Sequence, residues 1–163
     1  MNEITEKLLK IVSDWKGSFK GAYNIRENGC SVARKSSKNI QIETKKDQPG
    51  LDIHVLPDSK GEMVSIPACV THGAFDVLVY NDFYIGENAV VVIIAGCGVH
   101  TETGEPARHN GIHRFFLEPG AHVKYIEKHV GTGKGFGIRS IDPVTEITLA
   151  ENAVLEMDTA QIG

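Results

Sequence analysis

The chain has little of what would assign it to a class at once. Its 163 residues include only three cysteines, Cys30, Cys69 and Cys97. An odd number at wide spacings argues against a disulfide framework and for free thiols. The 17 basic residues are outnumbered by 21 acidic ones, whereas a nucleic-acid-binding domain usually has a basic excess. We therefore expect no nucleic acid among its partners.

Long hydrophobic runs are also missing. The longest, residues 89–99, is interrupted by Gly96 and Gly98 and falls short of the ~20 residues that a membrane helix needs. The N-terminal segment lacks the basic start and apolar middle of a secretion signal. A hydrophobic fraction of 41% and a charged fraction of 23% are typical of a folded, soluble protein. The sequence predicts a cytoplasmic protein with no membrane association.

The segment 1–60 predicts a small α+β lead-in. Apolar residues recur there at helical steps of three and four, at Ile4, Leu8, Ile11, Val12 and Trp15. This stripe predicts one amphipathic helix that covers part of a core. Residues 18–60 are polar and broken by loops, but residues 39–43 and 51–55 alternate like short strands.

From about residue 61 the sequence repeats itself. Segments 83–93, 115–125 and 147–157 align with a 32-residue period. Five columns are apolar in all three copies: Phe83/Phe115/Ile147, Ile85/Leu117/Leu149, Ala89/Ala121/Ala153, Val91/Val123/Leu155 and Ile93/Tyr125/Met157. Within each copy the apolar positions alternate, break at a turn and alternate again, as in strand–turn–strand. Equal spacing favours units that stack around one core, so the sequence predicts a mainly β fold with a parallel β-helix over residues 61–163.

The end of the repeat has no capping element. The chain stops at Gly163, just after the third copy, whereas solenoids need covered ends for solubility. We expect either a chain truncated at its C-terminal end or an open end that a partner covers.

The densest group of reactive side chains lies between residues 97 and 129. Cys97-x2-His100 followed by His109-x3-His113 has the paired spacing of a zinc ligand set, so a metal-binding β-protein is one hypothesis. Cys97 also stands alone as a candidate nucleophile, since a cationic His100 nearby would favour its thiolate. A buried core cysteine is the competing interpretation.

Other motifs in the chain are weaker. A cupin-like metal site needs two histidines one residue apart, and the sequence has no such pair. Only residues 85–90 match a hexapeptide acyltransferase rung. The glycine-rich segment 131–137 lacks the Ser or Thr that follows the lysine of a phosphate-binding loop.

Several stretches together carry a family resemblance. They are Ile66-Pro67, Ile85-Gly86, Ile94-Ala95-Gly96-Cys97-Gly98, His109-Asn110-Gly111-Ile112-His113 and Tyr125-Ile126-Glu127-Lys128-His129. In these stretches the chain resembles the SufB/SufD family, the scaffold proteins of the Suf iron–sulfur cluster assembly system. The similarity covers roughly residues 50–163 and is strongest over 73–133. It implies a right-handed parallel β-helix core, in agreement with the 32-residue repeat.

The resemblance also implies a function. A SufB-type scaffold is not an enzyme, and it receives sulfur from a cysteine desulfurase relay on a cysteine that matches Cys97, with His113 and His100 as candidate helpers. Its partners would be a Suf-type ABC ATPase and a second SufB- or SufD-type protomer. The full-length protein would assemble an iron–sulfur cluster transiently; no cluster is expected on this chain, and no cluster ligand is assigned. A SufD-like structural partner without sulfur-acceptor role is the alternative, and the roles of Cys30 and Cys69 stay open.

Overall fold

The computed structural model describes residues 1–163 and contains one helix and twelve strands. Their bounds are α1 Glu3–Val12, β1 Ala22–Glu27, β2 Cys30–Lys35, β3 Ile40–Thr44, β4 Gly50–Val55, β5 Glu62–Val70, β6 Phe75–Ile85, β7 Val90–His100, β8 Ala107–Leu117, β9 His122–Thr132, β10 Arg139–Ser140, β11 Val144–Leu149 and β12 Val154–Ile162.

The strands form two sheets, and each turn of the solenoid contributes one strand to each sheet. One sheet has the order β12-β9-β7-β5-β1-β2, and the other has the order β10-β8-β6-β4-β3, with β11 also paired to β8. From β4 onward, consecutive long strands alternate between the sheets, and strands of successive turns pair in parallel. The pairs β4/β5, β6/β7, β8/β9 and β11/β12 make about four turns. The predicted parallel β-solenoid is confirmed, and its right-handed sense stays a prediction.

The register of the ladders reproduces the repeat. Phe83 pairs with Phe115 and Phe115 with Ile147, while Val91 pairs with Val123. Each 32-residue period therefore holds two long strands joined by a short corner.

One corner position has a left-handed backbone in each copy. It is held by Asn88, Gly120 and Asn152, with φ of 55°, 70° and 57°. Glycine and asparagine tolerate this conformation best. The alanines that follow, Ala89 and Ala121, are fully buried at the corner.

The segment before the repeat belongs to the same core. Strand β1 pairs in parallel with β5, and the antiparallel strands β2 and β3 end the two sheets at this side. Ala22, Ile40 and Leu51 join Phe83 and Phe115 in one buried cluster.

Helix α1 lies on the outer face of the first sheet, against β5, β7 and β9. Asn2 caps it by accepting a hydrogen bond from the backbone N–H of Thr5 at 2.8 Å. Leu8, Leu9 and Val12 of the helix pack with Cys69 and Val130 of the sheet. The predicted role of the helix as cover is confirmed.

Two glycines let the helix approach β7. A Cβ on Gly96 would lie 2.5 Å from the backbone oxygen of Val12, and one on Gly98 would lie 2.9 Å from the Leu8 Cβ. Residues 96 and 98 face the helix, so the alternation of the strand turns Cys97 to the inside of the solenoid. In the Gly-Cys-Gly sequence, the two glycines therefore let the helix pack on the outer face of β7, and the cysteine points into the solenoid.

The last turn carries many exposed apolar side chains. They are Val144, Ile147, Leu149, Val154, Met157 and Ile162. Ala153 and Leu155 of the same turn are only partly buried against the core.

We predict that Gly96→Ala lowers the free energy of unfolding by about 2–3 kcal/mol, because the new methyl group meets rigid backbone of the helix. Gly98→Ala should also be destabilising, by about 1–3 kcal/mol, because its methyl group meets the Leu8 Cβ, which the helix backbone holds in place. Urea unfolding at neutral pH measures both. Gly104→Ala is the control, because no atom lies within 4 Å of the position that its new Cβ would take; an equal loss in all three variants would contradict the packing role of Gly96.

Candidate functional site

A layer of polar side chains crosses the interior of the solenoid. On one side of it is the large apolar cluster that contains Phe83, Phe115 and Tyr125, and on the other is a smaller cluster around Val79 and Val99. Between the two clusters lie six buried side chains: Asn81, Cys97, His109, His113, Glu127 and His129. We call these six residues the interior polar layer.

The ladders explain why these residues meet. Asn81 of β6 pairs with His113 of β8, and Cys97 of β7 pairs with His129 of β9. Register partners in parallel strands point to the same face. Gly111 leaves room for the imidazole of His113, since a Cβ there would lie 2.6 Å from its Nε2. The layer is therefore a product of the same repeat that builds the apolar core.

Cys97, His109 and His113 line one small internal cavity of about 10 Å³, together with Asn81 and Arg26. This volume is close to the minimum that one water molecule requires. Arg26 of β1 is 8% exposed, and its Nη1 donates to the Gly29 carbonyl at 2.7 Å. The cavity thus brings a thiol, two imidazoles and a guanidinium to one enclosed space.

Glu127 is the buried acid of the layer. Its Oε1 accepts a hydrogen bond from the Tyr125 hydroxyl at 2.8 Å. The same oxygen lies 3.2 Å from His129 Nε2 and 3.9 Å from His113 Nε2. Burial alone would raise the pKa of Glu127, but the two imidazoles and the hydroxyl outweigh it and hold the pKa below its ordinary value. A carboxylate is therefore kept ionised inside the protein at neutral pH.

Several polar atoms of the layer have no hydrogen-bond partner. They are Asn81 Oδ1, His113 Nδ1 and both ring nitrogens of His129. His129 Nε2 is close to Glu127 but is not aligned for a hydrogen bond. Buried polar groups are usually paired, and each unpaired one costs about 1–3 kcal/mol. Such exceptions concentrate at functional sites, so the layer is the candidate functional site.

The two histidines of β8 are held neutral. Burial lowers the pKa of His109 to about 3, and its neighbours His113, Arg26 and His129 add to the effect. Burial lowers the pKa of His113 to about 4, although the Glu127 carboxylate opposes this. Both imidazoles are therefore uncharged at neutral pH and can accept or donate one hydrogen bond at each nitrogen.

The structure places the predicted site residues in two groups. Cys97 and His113 share the cavity, whereas His100 lies at the end of β7, with its Nδ1 2.9 Å from Thr132 Oγ1 and its Nε2 3.1 Å from a Glu102 carboxylate oxygen. Burial raises the pKa of the Cys97 thiol well above its ordinary value. The thiol is protonated at rest, and His100 is not the imidazole beside it.

The predicted zinc ligand set is divided in the same way. Cys97, His109 and His113 face the cavity, but His100 bonds elsewhere. No group of three or more His, Cys, Asp or Glu side chains is arranged to hold a metal ion. The four-residue site suggested by the spacing is not assembled.

The other two cysteines lie outside the layer. Cys30 is exposed on β2. Cys69 is buried under α1, where burial raises its pKa to about 12. Cys69 is therefore a core residue of the cluster under the helix.

Glu127 and His129 are functional candidates that belong to none of the predicted sites. The 32-residue period contains the signal, since it aligns Cys97 with His129 and Ala95 with Glu127. Following the period beyond its apolar columns would have brought them together. Arg26 precedes the repeat, and no spacing in the sequence links it to the cavity.

We predict that stability falls as the pH drops from 6.5 to 5. The unfolded chain binds protons on His109 and His113 near pH 6.5, whereas the folded chain resists protonation until pH about 4 or below. The loss should be on the order of 1–2 kcal/mol for each histidine, measured as the free energy of urea unfolding at both pH values.

His109→Gln should reduce this pH dependence by roughly half. His122→Gln, which removes an exposed histidine of β9, is the matched control and should leave the slope unchanged. An undiminished slope in His109→Gln would contradict the assignment.

The chain matches no protein-family model, no curated protein and no solved structure. No helix of the structure is both long enough and apolar enough to cross a membrane. The interior polar layer is therefore the main guide to function.

Proposed function

We propose that the chain is a non-enzymatic scaffold of Suf-type iron–sulfur cluster assembly and that it receives sulfur on Cys97. The observation that carries the proposal is the position of this thiol. It is the only cysteine of the interior polar layer, and it lines the internal cavity with His109 and His113. The resemblance to the SufB/SufD family assigns the sulfur-acceptor role to the same residue.

The surroundings of Cys97 suit a sulfur carrier. A persulfide passes its outer sulfur to an attacking thiolate, and the rate depends on access to that sulfur. Cys97 is 6% exposed, so thiols in solution have little access to sulfur bound there, and a donor persulfide reaches it only through local opening of the structure. Polar groups around the cavity can hydrogen-bond a persulfide, which a purely apolar core could not do.

His113 keeps its role as a candidate helper within this proposal. It is neutral at neutral pH because burial lowers its pKa to about 4. Its Nδ1 has no partner and is free to accept a hydrogen bond from a thiol or persulfide. His100 has partners at the end of β7, so the proposal gives it no part in sulfur transfer.

The proposed partners follow from the family resemblance. They are a cysteine desulfurase relay as sulfur source, a Suf-type ABC ATPase and a second SufB- or SufD-type protomer. The exposed apolar residues of β11 and β12 are a suitable surface for that protomer. The iron–sulfur cluster is the cargo of the proposed scaffold, and a cytoplasmic location stays a prediction.

Metal binding by Cys97, His109 and His113 is the second candidate, because thiolate and imidazole are good ligands for zinc and iron. The three side chains line one cavity but are not arranged around a common point. Sulfur transfer needs only the thiol and is therefore preferred.

We predict that Cys97 alone gains sulfur from a donor. The full chain is incubated anaerobically with a cysteine desulfurase, its sulfur carrier and cysteine, and the cysteine peptides are analysed by mass spectrometry. The Cys97 peptide should gain the mass of one sulfur atom, whereas the peptides of Cys30 and Cys69 should not. Cys97→Ser should abolish the gain.

The exposed Cys30 is the internal control for unspecific sulfuration. If sulfur were found mainly on Cys30, solvent accessibility would determine which cysteine is modified, and this result would contradict the proposal. Cys97 that stays unmodified but reacts with an alkylating reagent would remove the acceptor role and favour a SufD-like structural partner. Tight, stoichiometric zinc binding that Cys97→Ser abolishes would favour the metal-binding candidate.

A further inference from the structure

Cys97 and His129 are direct neighbours on adjacent turns of the solenoid. They are register partners in the parallel ladder between β7 and β9. Strands in such a ladder lie ~4.8 Å apart, and partners point to the same face. Both side chains are buried, at 6% and 4% exposure. The imidazole therefore stands beside the thiol within the interior polar layer.

The imidazole ring of His129 makes no hydrogen bond that stabilises the fold. Neither of its nitrogens has a hydrogen-bond partner. Nε2 is 3.2 Å from Glu127 Oε1, so Nδ1 is the nitrogen left for the neighbouring Cys97 thiol, to which it is not hydrogen-bonded in this structure. A base acts on a nucleophile once the two come within hydrogen-bond reach, which often happens only in the reacting complex.

Glu127 is placed to orient this imidazole. It precedes His129 by two residues on β9 and therefore points to the same face. The Tyr125 hydroxyl, 2.8 Å from Glu127 Oε1, fixes the carboxylate. A carboxylate close to one ring nitrogen stabilises the imidazolium and directs the other nitrogen.

We propose that Cys97, His129 and Glu127 form a nucleophile–base–acid triad across two turns of the solenoid. His129 takes the proton of the Cys97 thiol, and Glu127 positions and stabilises the imidazolium. The identity of the electrophile, a donor persulfide, rests on the proposed function, whereas the triad itself rests on the geometry.

The step balances without an oxidant or reductant. His129 accepts the thiol proton, and the Cys97 thiolate attacks the outer sulfur of a donor persulfide. A bond forms between Cys97 Sγ and that sulfur, and the sulfur–sulfur bond of the donor breaks. The electron pair leaves on the donor thiolate, which takes the proton from the imidazolium. The products are a Cys97 persulfide and a donor thiol.

The surrounding charges favour a neutral Cys97 thiol in the resting protein and allow a thiolate–imidazolium pair to form during the reaction. Burial and Glu127 raise the pKa of Cys97, so the resting site holds a neutral thiol. The other titratable groups that face the triad are His109 and His113 of β8, Tyr125 of β9 and Arg26 of β1, whereas Cys69 of β5 lies on the outer face of the sheet, under the helix. Proton transfer from Cys97 to His129 creates a pair without net charge, which is the least costly way to form a thiolate in a buried site.

The test measures the alkylation rate of Cys97 as a function of pH. The full chain reacts with iodoacetamide, and mass spectrometry follows the three cysteine peptides separately. His129→Gln should slow the alkylation of Cys97 about tenfold or more at pH 7 and flatten the pH profile of its rate. Glu127→Gln should slow it less and displace the midpoint of the pH profile.

Two controls separate chemistry from loss of fold. His122→Gln removes an exposed histidine of the same strand and should leave the rate within about twofold. The buried Cys69 reports on opening of the structure: a variant that only loosens the fold would accelerate Cys69 and Cys97 together, and this would overturn the triad. A wild-type rate for Cys97 in His129→Gln would also overturn it.

The sulfur-transfer experiment then distinguishes the two proposals. If His129→Gln slows alkylation but the wild-type chain gains no sulfur on Cys97, the triad stands and the scaffold function fails. If Cys97 gains sulfur equally fast in wild type and in His129→Gln, the scaffold function stands and the triad fails.

Discussion

In-register parallel pairing of a 32-residue repeat is the constraint on which the rest of this structure depends. It stacks Phe83 on Phe115 and Val91 on Val123, and these contacts build the main core. The same ladder places His129 beside Cys97 and His113 beside Asn81. Because all inward positions obey one rule, the apolar core and the polar layer cannot be changed independently. A register error would displace the site and the core together.

The polar layer is stable because of what surrounds it. Unpaired nitrogens on His113 and His129 oppose folding, since a low-dielectric interior disfavours unpaired polar groups. Apolar clusters on both sides of the layer and the helix packed on the outer face of the sheet supply the compensating burial. The helix reaches the sheet only because Gly96 and Gly98 have no side chain. The residues that flank Cys97 therefore stabilise the strand that carries it.

The sequence predicted the solenoid well because its signal is periodic. Alternation and the fixed spacing of Ala89, Ala121 and Ala153 identify strand, corner and register without any long-range information. The site was harder to predict. Spacing along one strand grouped His100 with Cys97, but residues three apart on a strand point to opposite faces, and His100 bonds to Thr132 instead. Glu127 and His129 reach Cys97 only across turns. The cavity also needs Arg26, which lies before the repeat and which no periodic pattern connects to it.

The register also determines how this chain can change length. Ile53 pairs with Phe83 and Val64 with Ile93, so the first turn is shorter than the 32-residue turns that follow. The difference lies in the loops of the first turn, because its strands still pair in register with the strands of the next turn. A deletion of one residue within β7 would exchange its two faces and turn a glycine inward in place of Cys97. Insertions and deletions are therefore confined to the loops, while the strands can accept only substitutions.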